Sequence, residues 1–174
     1  MSDQPPSSTP TSTPSPPLPD REKRLRRAQN IIVDNVFWAA FMGLMPLPIV
    51  DAATVSAVQL KMINELAVEY DQRFSRHRSR AIITALLAGL GTLELPRWSL
   101  ALAKWIPGVG SVSGGVHLSL MAGAVTYAVG KVFVAHFEEG GGLRDLQPDQ
   151  HRDYFQRMYH EGTAVVRRLG RSPS

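Results

Sequence analysis

Residues 111–139, SVSGGVHLSLMAGAVTYAVGKVFVAHFEE, form the most distinctive stretch of this chain. They are mostly apolar, and at 1.5 Å per residue they suffice for an α-helix of about 40 Å. The three glycines that follow, residues 140–142, predict where this helix ends. Small residues also recur at every fourth position, a spacing that lets another helix backbone approach closely. We therefore predict a long apolar helix that packs through a small-residue ladder, formed by Ser111, Gly115, Ser119 and Gly123.

Apolar residues also repeat at helical spacing in the rest of the chain, and no segment alternates apolar and polar residues over a sustained length. The sequence therefore predicts an all-α fold of about five helices, with an apolar, glycine-rich helical hairpin or bundle. The other predicted helices run from Asp20 to about Met45, from Ala52 to about Tyr70, from Ser75 or Ser79 to about Leu95, and from Pro148 onward.

Two turns separate predicted helices. A rigid proline elbow ends the first helix, and an aspartate after it caps the second. A glycine turn precedes the long helix, and it lacks the Gly-Lys-Ser/Thr ending of a phosphate-binding loop, so we predict a structural turn without a nucleotide. The elbow residues are Pro46, Pro48 and Asp51, and the glycine-turn residues are Pro107, Gly108 and Gly110.

The first 19 residues differ in composition from the rest of the chain. They contain seven of the 13 prolines and eight Ser or Thr residues, with Asp3 as the single charge. So little apolar surface does not offset the entropy of ordering, and we predict a disordered tail over 1–19, a helical domain over 20–170 and a disordered end over 171–174. The tail lacks the basic and apolar segments of a secretory signal peptide, so we expect the domain to face the cytoplasm.

Basic residues are concentrated in two clusters. Five of the 19 Lys and Arg side chains lie within residues 21–27 and four within 73–80, next to stretches with almost no charge. Such clusters suit an anionic membrane surface, and a solvated helical turn is the simpler alternative. They lack interleaved aromatic residues and a recognition motif, so we expect no nucleic-acid partner. The predicted basic surface comprises Arg21, Lys23, Arg24, Arg26, Arg27, Arg73, Arg76, Arg78 and Arg80.

No arrangement of residues in the sequence predicts an active site or a metal site. The chain has no cysteine, and its five histidines include no pair at i, i+4 and no His-Glu-x-x-His motif. A helix cap explains Asp51, and a hydrogen bond or ion pair explains Asp34, more simply than acid–base catalysis does. We expect no catalytic residue, no cofactor and no metal; an enzyme would require Asp34, Asp51 and His117 to converge on one pocket.

Two apolar stretches approach the roughly 20 residues that a membrane span needs. Residues 105–135 are the better candidate, although they include His117 and Lys131. Residues 31–50 are followed by a polar helix that is too charged to cross back. The alternative is a soluble bundle whose apolar helices cover one another, with the small-residue ladder as an interface between copies of the chain. The sequence leaves both alternatives open.

Five short stretches, taken in order, resemble the YcjF-like family of bacterial domains of unknown function. The resemblance covers roughly residues 28–162, and the proline–aspartate elbow together with the Pro-Gly-x-Gly turn is its most specific part. The five stretches are Pro46–Asp51, Gln59–Ile63, Ile106–Gly110, Ala128–Lys131 and His136–Gly141.

The resemblance implies a membrane-associated helical module that serves a GTPase and has no catalytic residue. Members of that family commonly follow, or are encoded near, Era-like GTPases, and several are inner-membrane proteins with apolar helices. Residues 1–19 contain no GTPase domain, so the GTPase is expected as a separate chain. We expect a non-enzymatic module on the lipid of the bacterial inner membrane, facing the cytoplasm, that is partner or anchor of this GTPase. The alternative is a cytoplasmic homo-oligomeric interaction module.

Overall fold

The computed structural model describes residues 18–44, 52–90 and 112–171, and these ranges contain helices and turns but no β-strand. The predicted all-α fold with about five helices is therefore confirmed. The helices are α1 (Leu18–Leu44), α2 (Ala52–Glu69), α3 (Arg76–Leu90), α4 (Val112–Glu138) and α5 (Arg152–Leu169), with a 3₁₀ turn over Pro148–His151.

The helix boundaries differ from the predicted ones by a few residues. α1 begins at Leu18, so Leu18 and Pro19 belong to its first turn and not to the predicted tail. Proline is tolerated there because a first-turn N–H has no acceptor within the helix. α4 begins and ends within one residue of its predicted limits. The predicted last helix has two parts, because a 3₁₀ turn precedes α5.

Several predicted features lie outside the described residues. The two candidate membrane spans are described only in part, over 31–44 and 112–135. The features outside are tail residues 1–17, end residues 172–174, the elbow residues Pro46, Pro48 and Asp51, the glycine-turn residues Pro107, Gly108 and Gly110, and Ser111 of the ladder.

α4 is the central helix, because α1, α2 and α5 all pack against it. α1 runs antiparallel to α4, since its start lies beside Glu138 and its end beside Ser119. α2 runs parallel to α4, with Met62 near Gly130 and Tyr70 bonded to Glu138. One core joins the inner faces of all five helices, and it includes Ile32, Val36, Met62, Ile63, Leu66, Ile82, Leu86, Val129, Val132, Phe133 and Phe155.

Two glycines let α1 and α5 approach α4 at backbone distance. A methyl group added at Gly43 of α1 would lie 2.8 Å from the Cα of Ser119. One added at Gly162 of α5 would lie 2.9 Å from the carbonyl oxygen of Ala124. Carbon atoms pack favourably at about 3.5–4.0 Å, and the obstructing atoms are backbone, so side-chain rotation would not relieve the clash. The absence of a side chain at these two positions therefore sets the spacing of the bundle.

One carboxylate ties the end of α4 to α1 and α2. Glu138 is 11% exposed at its side chain and accepts hydrogen bonds from Arg21 Nε at 2.6 Å and from the Tyr70 hydroxyl at 2.7 Å. Burial first, and then this hydrogen bond, raise the pKa of the Tyr70 phenol, so the hydroxyl stays protonated and donates. Gly140, with φ +82°, then ends the helix, and the N–H of Gly141 donates to the carbonyl of His136.

The connection from α4 to α5 packs around two histidines. Nε2 of His136 lies 3.0 Å from the carbonyl oxygen of Gly142, so this nitrogen carries the proton and donates. The ring centroids of His136 and His151 are 5.4 Å apart. Burial, followed by the charge of His136, lowers the pKa of His151, and Glu139 opposes this effect. Arg78 of α3 holds the same connection by donating to the carbonyls of Leu143, Arg144 and Leu146.

Gly162→Ala is expected to destabilise the bundle by about 1–3 kcal/mol, because the added methyl group overlaps the α4 backbone. Gly170→Ala is the matched control, since its added methyl group would meet no atom closer than 3.7 Å. Urea unfolding followed by circular dichroism measures both free energies of unfolding. Equal stability of the Gly162 variant and the parent chain would contradict the close packing of α4 and α5.

The lowered pKa of His151 predicts that the chain loses stability as the pH falls. The unfolded chain binds a proton at His151 near its ordinary pKa of 6.5, while the folded chain resists that proton. This contribution is complete above about pH 6.5 and is lost progressively below that value. In His151→Gln the difference in unfolding free energy between about pH 7.5 and pH 5.5 should be smaller than in the parent chain. An identical pH dependence in the two proteins would exclude this role for His151.

Candidate functional site

Three aromatic side chains form an exposed cluster in the second half of α1. Phe37 is 55% exposed, Trp38 is 52% exposed and Phe41 is 40% exposed. Their ring centroids lie 6.2–6.4 Å apart, so the three rings contact one another. Ala39 and Val36, on the opposite side of the same turns, are buried in the core. The three aromatic side chains therefore lie on a different face of α1 from the residues that pack in the core.

Exposed apolar residues of α4 and α5 extend this cluster. Val116 and Leu118 lie near the start of α4, and Leu169 ends α5. A groove of about 420 Å³ runs between the three helices and is mostly apolar. We call the exposed apolar residues at this end of the bundle the apolar end: Phe37, Trp38, Phe41, Val116, Leu118 and Leu169.

Three arginines lie beside the apolar end. Arg167, Arg168 and Arg171 are exposed, and Arg167 and Arg171 line the groove together with Phe37 and Phe41. None of the described residues that line this groove is acidic. The groove therefore combines an apolar floor with a positive rim. Sequence reasoning missed this rim, although the run VVRRLGR at residues 165–171 carries the signal: three arginines within five positions, interleaved with apolar residues.

A second, more polar cleft of about 440 Å³ lies between α1, α2 and the end of α5, and it shares Phe37, Trp38 and Leu169 with the apolar end. Glu65 is already paired there, because it accepts from Asn35 Nδ2 at 2.9 Å and from Lys61 Nζ at 2.6 Å. Asn35 Oδ1 is buried and has no hydrogen-bond partner among the described residues. Asp34 also lines the cleft and is exposed. These contacts describe a polar edge of the α1–α2 interface.

The candidate acid–base residues lie in different environments. Asp34 lines the α1–α2 cleft, whereas His117 is exposed near the start of α4 and lines neither cavity. Asp51 lies outside the described residues. Across residues 18–44, 52–90 and 112–171, no three His, Asp or Glu side chains are grouped closely enough to hold a metal ion.

The predicted basic surface lies toward the opposite end of the bundle. Arg21 and Phe41 are separated by about 30 Å along α1 at 1.5 Å per residue. Five of these side chains have partners within the chain. Three form ion pairs: Arg21 with Glu138, Lys23 with Asp20 at 3.9 Å, and Arg27 with Glu69 at 2.7 Å. Arg24 lies over the Tyr70 ring, and Arg78 donates to the carbonyls after α4. The remaining four, Arg26, Arg73, Arg76 and Arg80, form no ion pair with the described residues.

The described part of the small-residue ladder faces other helices of the same chain. A methyl group added at Gly123 would lie 2.6 Å from Val166 Cγ2 of α5 and 3.3 Å from Ala40 Cβ of α1. Ser119 lies against Gly43. Gly115 belongs to the first turn of α4. The positions at Ser119 and Gly123 thus contact α1 and α5, and a second copy would need to displace one of these helices to reach Gly123.

α4 is the one helix in the described ranges that is long and apolar enough to cross a membrane, over Val116–Glu138. However, 61% of its apolar window is buried within the bundle. The core helix of a water-soluble protein meets the same criteria of length and composition. Length and hydropathy therefore do not distinguish a span from a core helix; within the described bundle α4 packs against α1, α2 and α5.

Known proteins resemble this chain over most of its length. Residues 21–162 match the family described as "Domain of unknown function (DUF697)". The chain is also similar to Magnetosome membrane protein 22 of Magnetospirillum gryphiswaldense, with 38% identity over 154 residues that cover 88% of this chain and 79% of the relative. No solved structure matches the chain. A helical domain of unknown function agrees with the family type expected from the sequence, and the chain belongs to the DUF697 family.

Proposed function

We propose that this chain is a non-enzymatic helical module that associates with the bacterial inner membrane from its cytoplasmic side. The observation that carries the proposal is the apolar end, where α1, α4 and α5 leave large apolar side chains exposed beside three arginines. Contiguous exposed apolar patches with a polar or charged rim are typical of protein or membrane contact sites. Tryptophan is enriched at membrane–water interfaces, and phenylalanine is common on the apolar face of helices that lie in such an interface.

The size of the aromatic cluster is sufficient for a membrane contact. Phe37, Trp38 and Phe41 are each about half exposed. Half of the surface of three such side chains is roughly 300 Å², whose complete removal from water contributes up to about 7 kcal/mol at 25 cal/mol per Å². At an interface where the side chains remain partly hydrated, only a fraction of this free energy is gained, and that fraction still supports reversible binding.

Similarity to a membrane protein also supports the proposal. The relative with 38% identity is named as a protein of the magnetosome membrane. The similarity covers 88% of this chain and 79% of the relative. From this relative we take membrane association and not the kind of membrane. The inner membrane is proposed because the YcjF-like family that this chain resembles has inner-membrane members.

The partner in this proposal is a GTPase supplied by a separate chain. This part rests on the resemblance of residues 28–162 to domains that follow, or are encoded near, Era-like GTPases. The module would then act as an anchor, holding the GTPase at the membrane while the apolar end contacts lipid. Such a role requires binding surfaces and no catalytic residue in this chain.

Replacing Phe37, Trp38 and Phe41 together with serine is expected to move the chain from the membrane fraction to the soluble fraction of a bacterial host. The three side chains are exposed, so the fold should be retained. The matched control replaces Val68, Phe74 and Leu87 with serine, because these apolar residues are exposed elsewhere on the bundle. Fractionation of the untagged full chain followed by immunoblotting measures the distribution. Recovery of the parent chain as a monodisperse soluble species without detergent would overturn the proposed function.

Mixing the full chain with a purified Era-like GTPase from the same organism tests the partner. We expect the two chains to co-elute in size-exclusion chromatography and the GTPase to float with lipid vesicles only when the module is present. A GTPase that neither co-elutes nor floats with the module would remove the partner from the proposal and leave the membrane association unaffected.

A further inference from the structure

We infer that the apolar end docks on the headgroup layer of an anionic bilayer, with Arg167 and Arg171 on lipid phosphates and with α4 kept inside the bundle. This inference rests on the proposed membrane association and names the surface, the lipid class and the state of the fold. The alternative is that α4 leaves the bundle and crosses the membrane, which the length and apolar composition of this helix also allow.

Charge complementarity identifies the occupant of the groove. Arg167 and Arg171 line it, Arg168 is exposed next to them, and the described lining contains no carboxylate that would neutralise them. These three side chains form no ion pair with the described residues, in contrast to Arg21 and Arg27 at the other end. An apolar patch with unpaired arginines at its rim matches the two layers of a bilayer surface, where acyl chains lie beneath anionic headgroups.

The contacts of α4 argue that it stays in the bundle when the apolar end binds. Leaving the bundle would separate Glu138 from Arg21 and Tyr70, and would break the 2.6 Å hydrogen bond from the Tyr127 hydroxyl to Glu161 of α5. The Tyr127 phenol would then enter the bilayer as a hydrogen-bond donor without this acceptor, which is costly in an apolar medium. Glu138 would also have to cross or flank the acyl layer. Docking through the apolar end keeps all of these pairs.

The orientation follows from the geometry of α1. Phe37, Trp38 and Phe41 lie on its second half, and the paired arginines 21 and 27 lie on its first half. The end that contacts lipid is therefore the end where α1 finishes and α4 begins. The start of α3 and the connection around His136 face away from the membrane, because they pack at the Glu138 end.

Vesicle flotation of the full chain tests the lipid class. Binding is expected to vesicles of equal parts phosphatidylglycerol and phosphatidylcholine, and to be weak with phosphatidylcholine alone. The double variant Arg167→Gln and Arg171→Gln should bind the anionic vesicles about 30-fold more weakly, since each arginine near such a surface contributes about a fivefold change in affinity. The control is the double variant Arg76→Gln and Arg80→Gln, which changes the net charge by the same amount on α3. It should bind almost as the parent chain does, because these arginines lie farther from the docked lipid than the electrostatic screening length of about 8 Å.

Equal losses in the two double variants would overturn the inference, because they would indicate a response to net charge and no dedicated surface. Equal binding of the parent chain to both kinds of vesicle would overturn the anionic lipid class. A parent chain that fractionates with membranes in cells but binds no vesicle would also overturn the inference and would favour a membrane protein as the occupant of the groove. In all three cases the proposed membrane association would stand.

A disulfide staple tests whether α4 stays in the bundle. Ala40→Cys with Gly123→Cys places one thiol on α1 and one on α4, since the Cβ atoms at these positions would lie 3.3 Å apart, near the lower limit of disulfide spacing. Val166→Ala is included in the same variant, because a Cβ at position 123 would otherwise lie 2.6 Å from Val166 Cγ2. The chain has no other cysteine, so this pair is unique. The oxidised variant should float with anionic vesicles as well as the same variant after reduction. Binding that appears only after reduction would show that α4 leaves α1, and would overturn the inference.

Discussion

The approach of α1 and α5 to α4 at backbone distance is the constraint on which the rest of the structure depends. Gly43 and Gly162 leave room only for the backbone of α4, at Ser119 and Ala124. Because the three helices lie so close, the apolar side chains of α4 are covered from several sides and form the centre of one core. A helix with the composition of a membrane span is thereby the central helix of the bundle, and the exposed large apolar side chains of the described residues lie mainly on α1 and at the helix ends.

This packing gives the bundle two chemically different ends. At one end Glu138 accepts from Arg21 and Tyr70, and Arg78 binds the carbonyls that follow α4, so much of the basic character there is used inside the chain. At the other end three aromatic rings are exposed beside Arg167 and Arg171, which have no carboxylate partner among the described residues. The number of basic residues in a cluster is therefore a poor guide to the surface that is free to bind, and pairing with nearby carboxylates is a better one.

Most of the helices could be predicted from local patterns. Helical spacing of apolar residues located α1 to α5, and Gly140 marked the end of α4 because it adopts a left-handed backbone conformation with φ +82°. The start of α1 at Leu18 and the 3₁₀ turn at Pro148–His151 were missed because proline is compatible with both a helix start and the residues before one. The candidate site was predicted less well. The prediction placed the basic surface at residues 21–27 and 73–80, where basic residues are most numerous, and it missed the three arginines at 167–171 that lie beside the groove.

The chain's local sequence specifies its all-α character, the limits of its long apolar helix and the small residues along it, because helix propensity and apolar periodicity depend on neighbours within a few positions. It does not specify what those small residues contact. Ser119 lies against Gly43, and Gly123 lies against Ala40 and Val166, residues that are distant in the chain. Such pairs form only when helices far apart in sequence pack together. For the same reason only the packed bundle distinguishes arginines that are paired from those that face solvent, and apolar residues that are covered from those that form the apolar end.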